Sequence, residues 1–378
     1  MPIVDHDNAL KYMSSLGFKS EREDIFQKYL ALPYQVVSDS PTIKHYTEWS
    51  IFEGLNLNVN QNPLGNVKVP LEGYTTFVFD NNIPLDFQPS DSVKCGLVKP
   101  EDHKLVALTL SLARKISLNK GGKYLVFNSC KGNNFCPVSI DVTVPEGESM
   151  EVIYYSDASE VAMPSSAISL DVPKGSSLSF SIVNSSRNSF GFVYAKARVE
   201  GEINSSIFSV GQSLGHTEYH VNLEEEALAN FNAKALGIGD NKVNILANVN
   251  HRGKKSVSNG VLKAVASGSS FTVIRGDAVI EESALDSSTT ILGKALIIGD
   301  DSKAVVAPML EVKTGKIVTA KHSASASKVS EDLIFYLENR GLDKRSAEGL
   351  IIRGFLSDDN DNQIIRTLVE DAISKMGY

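Results

Sequence analysis

The sequence predicts a mainly β fold, a parallel β-solenoid flanked by small helical regions at both ends. Three observations carry this. Short β-rich segments such as VKVPL, TTFVFD, YLVFN, VSIDVTV, LSFSIV and FGFVYAKARVE, separated by Gly, Asn, Asp and Ser, fill the chain from about residue 66 to 320. Helix-period stretches are absent there and confined to the two ends. Turn clusters at Gly239-Asp240-Asn241, Gly268-Ser269-Ser270 and Gly299-Asp300-Asp301 recur at steps of about 29 and 31 residues, and the same step backwards reaches Gly211-Gln212. Each period holds one coil of two or three short strands, and a coil buries its inward face only by stacking on the next.

Taken in order, residues 1–65 form a helical region whose clearest element is SEREDIFQKYLAL. Ser20 is the expected cap, Glu21, Glu23 and Asp24 suit the positive end of the helix dipole, Ile25, Phe26, Tyr29 and Leu30 make the apolar stripe, and Pro33 ends it. Residues 66–318 form the solenoid. Residues 319–378 form a C-terminal helical region, in which Ser330 caps a helix carrying Leu333, Ile334 and Leu337 and Gly341 stops it. Asp343 caps a second helix, through Ala347, Leu350 and Ile351 to near Gly354. A third follows SDDNDN with Ile364, Ile365, Leu368, Val369, Ala372 and Ile373 on one face.

Composition narrows the function. With 378 residues, 42% of them apolar, the chain buries a substantial core, as expected of a soluble globular protein. A net charge of -8 without a Lys/Arg cluster argues against a nucleic-acid surface. The longest apolar runs fall far short of the ~20 residues that span a bilayer. The N-terminal MPIVDHDNALKYM lacks a basic stretch followed by an apolar one, so a cytoplasmic location is expected. Cys95, Cys130 and Cys136 are too sparse for a disulfide framework and are expected as buried or free thiols in a reducing compartment.

The sequence lacks G-x-x-x-x-G-K-[ST], an intact G-x-G-x-x-G, G-x-S-x-G, H-E-x-x-H and paired C-x-x-C. ATP hydrolysis or dinucleotide binding by this chain alone is therefore not expected. HTEYH places His216, Glu218 and His220 two residues apart, on one face of a strand. That pattern suits a weak metal site, but equally a polar face over buried Thr217, Tyr219 and Val221. In CKGNNFC, Cys130 and Cys136 have no nearby His or further Cys to complete a metal site. His322, in KHSASASKVSED, stands where the β texture gives way to helix signals, followed by small residues that let another surface approach closely.

Four segments, VNILANVNHRGKKSVSNGVLKAVASGSSFTVIRGDAVI, SSTTILGKALIIGDDSKAVVAPMLEV, KHSASASKVSEDLIFYLENRGL and AEGLIIRGF, resemble the SufB/SufD family of iron–sulfur cluster assembly proteins. The likeness covers roughly residues 205 to 356, and weakly TEWSIF near residue 47. It implies a right-handed parallel β-helix between helical ends. Where the SufB branch carries a cysteine in Q-C-D-S-L-L-I-G and a glutamate in E-H-E-A, this chain has Gly293 and Ser323. The histidine of the SufD branch is matched by His322, while the spelling SKVSED is closer to SufB.

The resemblance implies a non-catalytic SufD-like scaffold that pairs with a SufB-like protein or a second copy of itself and docks a SufC-like ABC ATPase. His322 then contributes to a transient iron–sulfur cluster at the shared seam, since a neutral imidazole is a competent iron ligand. The C-terminal surface around Phe335, Tyr336, Leu342 and Phe355 is the expected ATPase contact, and unpaired edge strands are a second interface. The residues are silent on a flavin. Two competing readings are a SufB-like homodimeric scaffold and a β-helix carbohydrate-active enzyme. The second needs carboxylates sharing a face, which the consecutive Glu224, Glu225 and Glu226 cannot do.

Overall fold

The computed structural model describes residues 2–34, 46–63, 65, 67–69, 71–358 and 361–375. Its centre is a parallel β-solenoid of about eight turns, built from two facing sheets. Successive strands alternate between a ten-stranded and an eight-stranded sheet, so each coil holds two strands. All ladders between coils are parallel; among the described strands the hairpin of Thr75–Asp80 with Ile83–Leu85 pairs antiparallel, as do the isolated bridges Ser90–Lys115 and Cys95–Val98. The 29- and 31-residue steps of the sequence are the coil length of the C-terminal turns. Glycine is required where those turns stack: Gly268 has φ +71°, and a Cβ there would meet the Gly239 carbonyl oxygen at 2.9 Å. The Ser269 N–H donates to that same oxygen, at 2.8 Å.

Three apolar layers follow from this geometry. The bore between the sheets is filled by residues such as Val152, Phe180, Tyr219, Ile245, Ile274 and Ile291. N-terminal helices His6–Met13 and Lys19–Ala31 cover the outer face of the eight-stranded sheet, against Phe135, Met163 and Phe192. The C-terminal helices Lys344–Leu356 and Gln363–Lys375 cover the outer face of the ten-stranded sheet, against Phe127, Tyr155, Phe208 and Leu236. Strands covered on both faces read as unbroken buried runs, as in Met163–Val172.

Two buried cations fasten the end units. Arg22, fully buried, donates to the carbonyl oxygens of Gly17, Asp91, Ser111 and Ala113 at 2.6 to 3.0 Å, tying Lys19–Ala31 to the solenoid's first coil. Lys234, on the ten-stranded sheet, donates to both carboxylate oxygens of Asp361 at 2.6 Å, with both side chains buried.

Several sequence expectations need correction. The helix predicted from Ser20 begins at Lys19, and its N-cap is Phe18, in the left-handed region at φ 62°, with no side-chain cap. Helix Lys104–Leu112 lies inside the stretch read as free of helix; its residues from Leu105 onward are all buried, so no polar face marks its period. Cys130 and Cys136, expected as free thiols, are joined in a disulfide beside Ala162. The turn between Gly122–Lys131 and Phe135–Thr143 brings their Cα atoms to 6.0 Å; Cys95 alone is a free thiol, and it is buried. Finally, strand Thr319–Lys328 carries His322, so the β texture ends at Lys328 rather than before residue 319. The caps at Ser330 and Asp343 are as read: their side chains accept from the N–H groups of Leu333 and Ser346.

Candidate functional site

The C-terminal end of the solenoid is uncapped. Thr319–Lys328 pairs only with Ser288–Ile298, and Lys303–Val312 only with Phe271–Ile280; among the described residues no strand continues either sheet. Their outer edges present unpaired backbone groups, the arrangement that invites strand addition. The register sets His322 beside Ile291 and Ala324 beside Gly293. Because Ile291 is fully buried in the bore, His322 belongs to the inward-facing row, yet it is exposed because no further coil covers it. Val306 and Leu310 of the facing strand close the same mouth, half-buried against the bore. Val318, just before the last strand, is 70% exposed.

Ser323 pairs with Leu292 on the opposite face from His322, so the two positions singled out in KHSA look in opposite directions. Gly293 lies on the inward row, one pleat from His322 in register, and a Cβ there would meet Val306 Cγ1 at 2.2 Å. Small residues, Ser and Ala, fill 323–327. Another surface can therefore approach the backbone of this edge closely.

Of the four expected contact residues on the C-terminal helices, Phe335 and Tyr336 are 65% and 53% exposed on Glu331–Glu338. Leu342 and Phe355 are half-buried, and Phe355 packs on the cluster beneath the helices. Leu333 on the same helix is also exposed, 44%, and the Arg340 guanidinium lies over the Tyr336 ring at 5.1 Å.

His216, Glu218 and His220 do share a face, but it is not a free surface. The segment Thr47–Trp49 lies over it, so His216 and Glu218 are buried and only His220 is partly open. Both imidazole Nε2 atoms meet the carboxylate of Glu218, at 2.8 and 2.9 Å. Burial pushes that carboxyl up, but the hydrogen bonds from the two imidazoles win and hold it well below the ordinary glutamate range. With Glu218 ionised, each ring donates to it from Nε2. His216 Nδ1 is 2.7 Å from Thr47 Oγ1, which accepts from Asn244 Nδ2, and His220 Nδ1 is 3.3 Å from Asn248 Nδ2. The nitrogens that a metal would need are engaged with each other's partners. Among the described residues no group of three or more His, Cys, Asp or Glu is placed to hold a metal ion.

His103, which sequence reading passed over, stacks beside this network against Trp49 and Phe192. Its Nδ1 caps helix Lys104–Leu112 by accepting from the Leu105 N–H at 2.9 Å. Burial lowers its pKa to about 4. The partners Thr47, Asn244 and Asn248 were equally unmarked; the only signal was that Asn244 and Asn248 lie one coil after His216 and His220 in register.

The described residues thus form a two-sheet parallel solenoid with helical covers and an uncovered C-terminal coil. Residues 128–355 match the family profile described as SUF system FeS cluster assembly, SufBD core domain. The chain belongs to the SufBD family of iron–sulfur cluster assembly proteins. It is 32% identical over 108 residues to a chloroplastic iron–sulfur cluster assembly SufBD family protein of Arabidopsis thaliana, covering 29% of this chain and 19% of that one. It is 30% identical over 184 residues to a SufBD family protein of Mycobacterium leprae, covering 46% of this chain and 20% of that one. With a Mycobacterium bovis member the figures are 33% over 87 residues, 23% of this chain and 22% of the relative. The matched stretches thus span about a fifth of these relatives' length. No helix among the described residues is long and apolar enough to cross a membrane.

Proposed function

We propose that this chain is a SufD-like, non-catalytic scaffold subunit that meets a SufB-like protein at its open coil end. The observation that carries the reading is the place of His322: exposed, on the inward-facing row, beside unpaired edges. A second solenoid set against this end continues both sheets and brings its own side chains to the imidazole. The nascent cluster is cargo at that seam, with His322 supplying a neutral nitrogen ligand and the partner the thiolates. Gly293 and Ser323, in place of the cysteine and glutamate of the SufB branch, support this division of labour.

A SufC-like ABC ATPase docks on the exposed face of Glu331–Glu338 through Phe335 and Tyr336, and supplies the nucleotide chemistry for which this sequence has no P-loop. The expected location is the cytoplasm. Co-expression with SufB-like and SufC-like proteins, purification by a tag on this chain and light scattering test the assignment. One copy each of this chain and the SufB-like protein, with ATPase bound, supports it, and His322→Ala should then abolish cluster formation without dissociating the complex. A homodimer with ATPase assigns the chain as its own SufB-like scaffold; no association at all removes the reading.

A further inference from the structure

The His-Glu-His network leads into a groove that the scaffold role leaves unused. On the outer face of the eight-stranded sheet, the register sets Lys196, His220, Asn248 and Asp277 in one row across four coils, with Asn222 and Asn250 side by side in the next row. Together with Tyr194 and Arg252 these residues line a groove of about 370 Å³. Small-molecule sites run from ~300 to ~1,000 Å³.

Two amide oxygens stand out at its floor. Asn248 Oδ1 and Asn250 Oδ1 are both buried and accept no hydrogen bond among the described residues. Asn248 Nδ2 lies 3.3 Å from His220 Nδ1, and the other nitrogen of that ring meets the Glu218 carboxylate at 2.9 Å. A buried acceptor left open is destabilising, and a ligand that donates hydrogen bonds relieves it. Beside these atoms the Tyr194 and His220 rings lie 5.0 Å apart, tilted by 37°.

The charges decide among donor-bearing ligands. Lys196 is neutralised by Asp102 at 3.0 Å, and Arg252 and Asp277 bring one charge of each sign. A phosphate finds no cationic cluster, and a divalent cation finds a single carboxylate, Asp277, opposed by Arg252. The geometry points to a binding site for a small neutral polyhydroxylated molecule of the sugar class, its hydroxyls donating to Asn248 and Asn250 beside the partly open His220 ring.

Saturation-transfer NMR on the full chain tests this, with D-ribose, D-glucose and sucrose each at about 10 mM and inorganic phosphate and spermidine as contrasts. Asn250→Leu and Asn248→Leu, of matched size and without the acceptor, are compared after circular dichroism confirms that each folds. Transfer to at least one polyol, weakened about tenfold or more in either folded variant, is the expected result. The site is overturned if no polyol receives transfer from the unaltered chain, if every folded variant binds as well as it does, or if spermidine or phosphate binds in place of the polyols. The unaltered chain decides the first and third outcomes even if neither variant folds.

Discussion

The fold should be acid-labile below pH 6.5 because two imidazoles are held neutral inside it. Burial lowers the pKa of His103 and of His251 to about 4, from an ordinary value of 6.5. His103 cannot take a second proton without losing its cap, since Nδ1 already accepts the Leu105 N–H. His251 sits between the hydroxyls of Ser256 and Ser258, each at 2.8 Å. Between pH 4 and 6.5 the unfolded chain binds more protons than the folded one, so stability rises with pH through that window and is lost on acidification. A gap of about 2.5 units is worth about 3 kcal/mol per imidazole at full effect; at pH 5 it has removed about 2 kcal/mol for each, about 4 kcal/mol for the pair. Urea denaturation at pH 7.5 and pH 5 measures the difference. His103→Asn, which keeps an acceptor at the cap but does not titrate there, should lower stability at both pH values and cut the pH-dependent loss to about 2 kcal/mol. A change below about 1 kcal/mol in the unaltered protein, or an undiminished change in the variant, would refute the reasoning.

Asp361→Ala leaves Lys234 buried without its partner and should cost about 3–5 kcal/mol, whereas Lys234→Met with Asp361→Leu should be near neutral; a double-mutant denaturation cycle separates the two. The same single change should speed hydrogen exchange in Gln363–Lys375, and equal protection in both proteins would count against the anchor. Reducing the Cys130–Cys136 bridge opens a loop with a sequence separation of 6 and should lower stability by about 2 kcal/mol, read as a shift in the urea midpoint with and without reductant. Restoring a cysteine in Gly293→Cys drives its Cβ into Val306 and should cost about 1–3 kcal/mol, relieved in part by Val306→Ala; an equal cost in both backgrounds would show that Val306 is not the obstacle.

The solenoid was legible because its physics is one-dimensional. Gly239, Gly268 and Gly299 must adopt positive φ once per coil, and that demand is written in the chain at the coil's own spacing. Caps such as Ser330 and Asp343 were equally readable, since they depend on neighbours three residues away. Helix Lys104–Leu112 was not: buried on every side, it has no polar face to set its period apart from β texture.

At the candidate site the sequence determined the residue and the tertiary structure determined its meaning. His322 could be singled out from KHSASASK, but only strand pairing put it on the inward row of an uncapped end. The same holds for HTEYH, where period two fixed the shared face and the Thr47–Trp49 segment, far away in the chain, turned that face into an interior. Lys234 with Asp361 and Cys130 with Cys136 carry no mark of partnership in sequence. Their pairing is decided by coil stacking and by where the covers lie, and those are properties of the assembled layers rather than of any local stretch.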